Sequence, residues 1–170
     1  MNIFSTSGAA AARSAQAPAS TKARPSVASG RLGETALRAL GALSLLAVGA
    51  VHLQQYFTLY SSIPTIGTLF VLNFVGATVV GLGLLAPVER LFGRLGSALP
   101  ALLAAAGIGL AATAFVFLFI SERTPLFGFM EPGYDPAGIL ASRVAEAVTV
   151  LFLGSFLVVR FARRAAAARG

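Results

Sequence analysis

Four long stretches of almost uninterrupted apolar residues dominate the chain, at about residues 37–57, 66–85, 99–120 and 137–159. Each is close to the ~20 residues that an α-helix needs to cross a ~30 Å hydrocarbon layer. The stretches lack the period-two alternation of membrane β-strands, and helices satisfy their backbone hydrogen bonds internally, as hydrocarbon requires. The pattern therefore predicts an all-α fold, an integral membrane four-helix bundle over residues 33–164.

Prolines and one aspartate mark the expected helix ends. Pro64 precedes the second helix, Pro87 follows it, and Pro100 lies near the start of the third. Asp135 and Pro136 supply an N-cap and a first-turn proline for the fourth. The helix boundaries are thus predicted from local sequence alone.

The segments outside this domain are polar. Residues 1–32 are rich in Ala, Ser, Thr and Gly, and they are predicted to form a disordered basic cytoplasmic tail. The apolar stretch that could act as a signal begins only near Leu37, so we expect no cleaved signal peptide. Residues 165–170 are predicted to be a short basic cytoplasmic C-terminal tail. The composition agrees with a membrane protein, because 56% of residues are hydrophobic and 11% are charged.

The net charge of +7 comes from basic residues near the ends of the apolar stretches. Eleven of the thirteen lie on one predicted face of the bundle, and Arg123 and Arg143 are the exceptions. The positive-inside rule assigns that face to the cytoplasm. We therefore predict a multi-pass plasma-membrane protein with both termini cytoplasmic and the lipid bilayer as its partner, and no nucleic-acid binding.

The sequence lacks the residues that several kinds of catalytic and metal site require. The chain has no cysteine and a single histidine, which excludes disulfides, thiolate metal sites and bis-His haem within the chain. It also lacks the glycine-rich phosphate loop, HExxH and GxSxG patterns. We assign no catalytic residue, no metal ligand and no cofactor, and a non-enzymatic role is favoured over an enzyme.

Polar residues at one depth form the candidate site. Counted from the expected helix ends at ~1.5 Å per residue, His52 and Arg143 lie about 10 Å deep, Asn73 about 13 Å and Glu146 about 15 Å. All four depths refer to the same membrane face. Polar groups are costly in a membrane, so each needs a partner or a purpose.

Gln54, Gln55, Tyr56 and Tyr60 extend this polar set toward the surface, which predicts an outward-facing polar pocket. Two interpretations stay open. Arg143 and Glu146, neighbours at i and i+3, could form an ion pair that His52 and Asn73 complete, and so specify helix docking. Alternatively, Arg143 holds an anionic or carbonyl group, Glu146 sets the charge or moves a proton, and His52 donates or accepts near neutral pH.

Two further features bear on packing and access. The third helix carries a stripe of small residues that would permit close approach within the bundle, to a second copy or to a partner subunit. The connection 121–136 combines aromatic residues with Pro and Gly, and it could either anchor at the membrane surface or fold over the pocket as a lid. The stripe consists of Ser97, Ala101, Ala105, Gly109 and Thr113.

One segment resembles a known group. Residues 63–73 read IPTIGTLFVLN, and His52 with Leu53 forms an HL pair upstream. These motifs resemble those of small, mostly uncharacterised actinobacterial four-helix membrane proteins that combine HL with IPxIGxLFxLN. The resemblance covers about residues 48–85 and implies the topology, but no activity.

Three functional hypotheses follow. The leading one is a small plasma-membrane protein of unassigned activity whose pocket serves a ligand, a proton or a partner subunit. The second is a membrane-bound redox or quinone-linked enzyme accessory. The third is a purely structural membrane subunit that docks through the small-residue stripe.

Overall fold

The computed structural model describes residues 27–169, apart from the side chains at 27–29, 94 and 95. Within this range the chain is helical and contains no β-strand, only one isolated bridge between Leu126 and Phe129. The predicted all-α class is thereby confirmed. Residues 1–26, which hold most of the predicted basic tail, lie outside the described range.

Four long helices make up most of the fold, and we name them α1 to α4. The last turn of α1 continues as a π-helical turn at Tyr56–Tyr60. Two one-turn helices, Val88–Leu91 and Gly93–Gly96, join α2 to α3. The bounds are Val27–Gln55 for α1, Pro64–Leu85 for α2, Leu99–Ser121 for α3 and Pro136–Ala167 for α4.

All four helices are long and apolar enough to cross a membrane, which indicates a multi-pass membrane protein. Helices α1 and α4 exceed the predicted spans, because α1 begins at Val27 and α4 ends at Ala167. Residues 27–32 and 165–167, predicted as tails, are therefore helical. The apolar pattern marks the part of a helix that lies in hydrocarbon, and both helices continue beyond it into flanks that carry charged residues.

The tightest packing lies in one half of the structure, where α1 contacts α2 and α4, and α3 contacts α4. Leu45, Ala77, Leu153 and Phe156 are all buried there in one apolar cluster. Gly41 allows the backbones to approach, since a Cβ at this position would lie 3.2 Å from the backbone nitrogen of Leu153. Small residues at such contacts are typical of helix packing in membranes.

Ion pairs cluster at the end of the structure beyond this core, which we call the arginine end. Glu34 accepts hydrogen bonds from Arg160 (2.9 Å) and Arg163 (2.7 Å). Arg38 pairs with Glu89. The opposite end carries the connections 61–63 and 122–135, and we call it the loop end.

Helix α3 buries a different face from the predicted small-residue stripe, although the Ser97 carbonyl just before the helix accepts hydrogen bonds from Arg160 and Arg164 over 2.6 Å. Its buried residues are Pro100, Ala104, Gly107, Ala111 and Ser121, whereas the stripe is exposed except at the half-buried Ala101. A spacing of four residues advances about 400° along an α-helix, so the stripe turns by about 40° at each step. It therefore winds around the helix and leaves the packed face.

Candidate ligand-binding site

A cavity of about 380 Å³ lies in the loop-end half of the structure. All four long helices and the connection 122–135 contribute to its wall, which is mainly apolar. Natural ligand sites combine such an apolar wall with a few placed polar groups. The polar residues of the wall are His52, Gln55, Tyr60, Asn73, Thr113, Ser121, Glu131, Ser142 and Glu146.

Glu146 is the most deeply buried acid of the wall, with 1% of its surface exposed. The Ser142 hydroxyl donates to its Oε1 over 3.0 Å, and His52 Nε2 lies 3.8 Å from the same oxygen. The His52 Nδ1 donates to the carbonyl of Val48 over 2.9 Å, which directs Nε2 at the acid. Glu146 Oε2 is buried and has no hydrogen-bond partner among the described residues.

Asn73 adds a second buried acceptor from α2. Its Oδ1 is buried without a hydrogen-bond partner in the described part of the chain. Unpaired buried acceptors are costly, since each loses water without gaining a donor. The cavity wall therefore holds two buried oxygens, Asn73 Oδ1 and Glu146 Oε2, that accept no hydrogen bond from the described residues.

Arg143 does not contribute to the cavity wall, contrary to the predicted pocket, and it does not pair with Glu146. It pairs with Glu122, at the start of the connection after α3. Side chains on a helix lean toward its N-terminus, which for α4 is the loop end. Arg143 thus extends outward to Glu122, while Glu146 extends toward Ser142, one turn before it.

The π turn explains why Tyr60 lines the cavity and Tyr56 does not. A π turn holds one more residue than an α turn, so the position after Gln55 on the inner face is i+5. That position is Tyr60, which is 5% exposed. The Tyr56 ring instead packs beside Gly67, where a Cβ would lie 3.3 Å from its ring carbon.

Gln55 links α1 to the start of α4. Its amide donates to Asp135 over 2.7 Å, and Asp135 caps α4 by accepting from the backbone N–H of Gly138 over 3.0 Å. These two hydrogen bonds, that from Gln55 first, hold the pKa of Asp135 below its ordinary value. Gln55 lies directly over Gly138, where a Cβ would overlap its amide. The predicted N-cap at Asp135 is confirmed.

The connection 122–135 folds over the loop end of the cavity and is held there by Glu131. One carboxylate oxygen accepts from Tyr60, and the other accepts from the backbone N–H groups of Gly133 (2.8 Å) and Tyr134 (3.0 Å). The Glu131 N–H donates to the Ser121 carbonyl over 2.8 Å. Glu131 thus fixes the loop to the π turn after α1 through its carboxylate and to α3 through its backbone N–H.

A tight turn directs the aromatic part of this loop into the cavity. Leu126 and Phe129 exchange backbone hydrogen bonds of 2.7 and 3.0 Å. Between them Phe127 (φ 51°) and Gly128 (φ 80°) both have positive φ, as in a type I′ turn. Phe129 thereby meets Tyr60 edge to face, with ring centroids 5.8 Å apart.

Of the six residues predicted for the site, His52, Gln55, Asn73 and Glu146 line one cavity, and Tyr56 and Arg143 do not. Sequence reasoning missed Ser142, although a serine four residues before an acid on a helix is a signal for this hydrogen bond. No protein-family model, curated protein or solved structure matches the chain significantly.

Proposed function

We propose that this chain is a small multi-pass plasma-membrane protein that binds an amphipathic molecule with a hydrogen-bond-donating head. The two unpaired acceptors at the cavity wall, Asn73 Oδ1 and Glu146 Oε2, carry the proposal. An amine or hydroxyl head would supply the donors that they lack. The apolar wall would receive the rest of the molecule.

The charge distribution opposes an anionic ligand. Arg143, which the sequence suggested for this purpose, pairs with Glu122 outside the cavity. Glu146 as a carboxylate, together with Glu131, makes the wall acidic. A carboxylate or phosphate head would meet like charge there, whereas an ammonium head would be attracted.

The quinone-linked alternative draws less support from this geometry. A quinone carries carbonyl acceptors, and Asn73 Oδ1 can only accept. Two acceptors facing each other repel, so the described wall suits a donor head better than a quinone.

The proposed arrangement in the membrane is a four-helix bundle with both termini in the cytoplasm. The basic residues Arg38, Arg160, Arg163 and Arg164 at the arginine end support this orientation through the positive-inside rule. The loop end and the cavity would then lie toward the outer face. Membership of the actinobacterial group named above stays a prediction.

A matched series of single-chain probes tests the binding proposal. Decylamine, decanol and decanoate share one tail and differ only in the head. We expect the full-length protein in lipid nanodiscs to bind decylamine and decanol, measured as bound probe per protein, and to reject decanoate. Preferential binding of decanoate would refute the proposal.

Two variants identify the contacts. Glu146→Gln and Asn73→Ala should each weaken decylamine binding by about ten- to a hundredfold, the value of a hydrogen bond that involves a charge. Glu89→Gln, which neutralises an acid at the arginine end, is the matched control and should bind normally. Equal binding by all three variants would mean that the amine occupies another place.

A further inference from the structure

The cavity has a side opening between α2 and α3. Leu72 of α2 lines the cavity and is 59% exposed. Gly109 and Thr113 of α3 also line the cavity and are exposed. Residues that line a cavity and are exposed as well mark the place where it reaches the surface. We call the opening framed by these three residues the side mouth.

The side mouth lies at the depth of lipid tails. Leu72 is eight residues after Pro64, and Thr113 is eight residues before Ser121. At ~1.5 Å per residue both lie about 12 Å from the loop end of their helices. A hydrocarbon layer is about 30 Å thick, so this depth falls within its outer half. The side mouth therefore faces acyl chains.

The gap between α2 and α3 closes toward the arginine end. A Cβ at Gly76 would lie 2.6 Å from the Leu110 side chain, and one at Gly83 would lie 3.1 Å from Leu103. The two helices are thus in close contact on that side of the cavity. The side mouth is limited to the segment between this contact and the loop end.

The loop end of the cavity is covered. Tyr60, Gln55 and Glu131 are each at most 5% exposed, and each makes a hydrogen bond between α1 and the segment that precedes α4. Phe129 packs against Tyr60 from the loop side. A molecule arriving from water would have to break these contacts, whereas a molecule in the bilayer meets an opening.

We propose that the ligand enters from the bilayer through the side mouth and is a membrane-dissolved single-chain amphiphile. Its donor head reaches Asn73 and Glu146, while its tail passes between Leu72 and Thr113 into the hydrocarbon. This inference rests on the proposed binding function. A cavity of about 380 Å³ would limit the size of an enclosed ligand, but an open mouth leaves the tail free.

On the unmodified protein, tail length distinguishes a ligand whose tail leaves through the side mouth from a ligand that the cavity encloses. Decylamine and hexadecylamine are offered to the full-length chain in nanodiscs at equal mole fraction of the lipid. With the tail outside, the two affinities should agree within about threefold. A loss of more than about tenfold for hexadecylamine would show an enclosed ligand and overturn the proposal.

Loading rates locate the route. Gly109→Leu and Thr113→Phe narrow the side mouth and should slow decylamine loading by about tenfold or more. Gly154→Leu is the control, because a Cβ at Gly154 meets nothing within 4 Å. Normal rates in both mouth variants, with faster loading in Tyr60→Phe, would assign the route to the loop end and overturn the proposal.

A tryptophan reports directly on the mouth, since the chain contains none. Leu72→Trp should be quenched by lipids brominated in the middle of the acyl chain, and decylamine should reduce this quenching. No quenching by these lipids would place the mouth outside the hydrocarbon and refute the proposal. If the unmodified protein binds no amine, the binding function fails as well. If decylamine binding depends on Glu146 but is unchanged in the Gly109→Leu and Thr113→Phe variants, only the route through the side mouth is rejected.

Discussion

His52 Nε2 lies 3.8 Å from Glu146 Oε1, across the contact between α1 and α4. Among the described residues Glu146 forms no ion pair with an arginine, and Arg143 pairs with Glu122 instead. The buried acid is therefore held by one hydroxyl donor, Ser142, and by the nearby imidazole. Such an arrangement favours binding over stability, since a buried and incompletely paired acid is costly.

Glu146→Gln should separate the contribution of Glu146 to ligand binding from its contribution to stability. We expect the variant to keep or raise its thermal midpoint, followed by circular dichroism in detergent, because an incompletely paired buried acid is replaced by a neutral amide of similar volume. Decylamine binding should fall at the same time. A lower midpoint together with unchanged binding would assign Glu146 to helix docking instead.

Tyr60→Phe should release the connection 122–135. The change removes the donor to Glu131 and leaves a buried carboxylate oxygen unpaired, at a cost of about 1.5–3 kcal/mol. Hydrogen–deuterium exchange at the backbone of Gly133 and Tyr134 should accelerate. Tyr134→Phe, at a side chain 68% exposed, is the control and should leave the exchange unchanged. Slow exchange in both variants would show that Glu131 does not hold the loop through Tyr60.

Gly67→Ala should destabilise the junction between the π turn and α2. A Cβ at this position would lie 2.8 Å from the Tyr60 carbonyl oxygen, a backbone atom that cannot rotate away. Overpacking of this kind costs about 1–3 kcal/mol. Gly33→Ala, where a Cβ meets nothing within 4 Å, should not lower the midpoint. Equal midpoints for the two variants would mean that the π turn adjusts freely.

Asp135 should give the α4 cap a dependence on pH. Its pKa in the folded protein lies below the ordinary 3.8, so its stabilising effect is complete above that value. The effect is then lost as the pH falls through the lowered pKa. Thermal midpoints measured across this acid range should fall for the natural chain. Asp135→Asn, which can also cap a helix, should remove this part of the fall, and an identical pH profile would contradict the assignment.

Glu34→Gln should weaken the arginine end. Arg160, 11% exposed, and Arg163 both donate to this carboxylate, so its removal leaves a largely buried guanidinium with fewer acceptors. Breaking a pair of this kind costs about 1–3 kcal/mol when it is partly buried. Glu89→Gln, at an acid 37% exposed, should cost less. A larger loss of stability in Glu89→Gln than in Glu34→Gln would contradict this ranking.

Local sequence predicted much of the fold. Hydrophobicity and length located four helices, and Asp135 was found as an N-cap, because these features depend on neighbours in the chain. The depth of His52, Asn73 and Glu146 followed from helical rise alone. All three contribute to one cavity, although depth does not determine which way a side chain points.

The errors arose where the answer depends on distant residues. Arg143 and Glu146 are neighbours on a helix, but Glu122 lies closer to the arginine once the connection after α3 folds back. Tyr56 and Tyr60 were both expected along the polar path to the surface, whereas the π turn places only Tyr60 at the cavity wall. That turn is supported by contacts between Tyr60, Phe70 and Glu131, which no local pattern contains.

By itself, the sequence determined that four helices are long and apolar enough for a membrane, that α4 is capped at Asp135, and that three helices carry polar groups at one depth. Only the tertiary structure decided which acid Arg143 pairs with, that Tyr60 rather than Tyr56 lines the cavity, and that the cavity opens between α2 and α3. Helix formation and hydrophobicity are set by residues a few positions apart. Ion pairs and cavity openings depend on how side chains from different helices, far apart in the sequence, pack against one another.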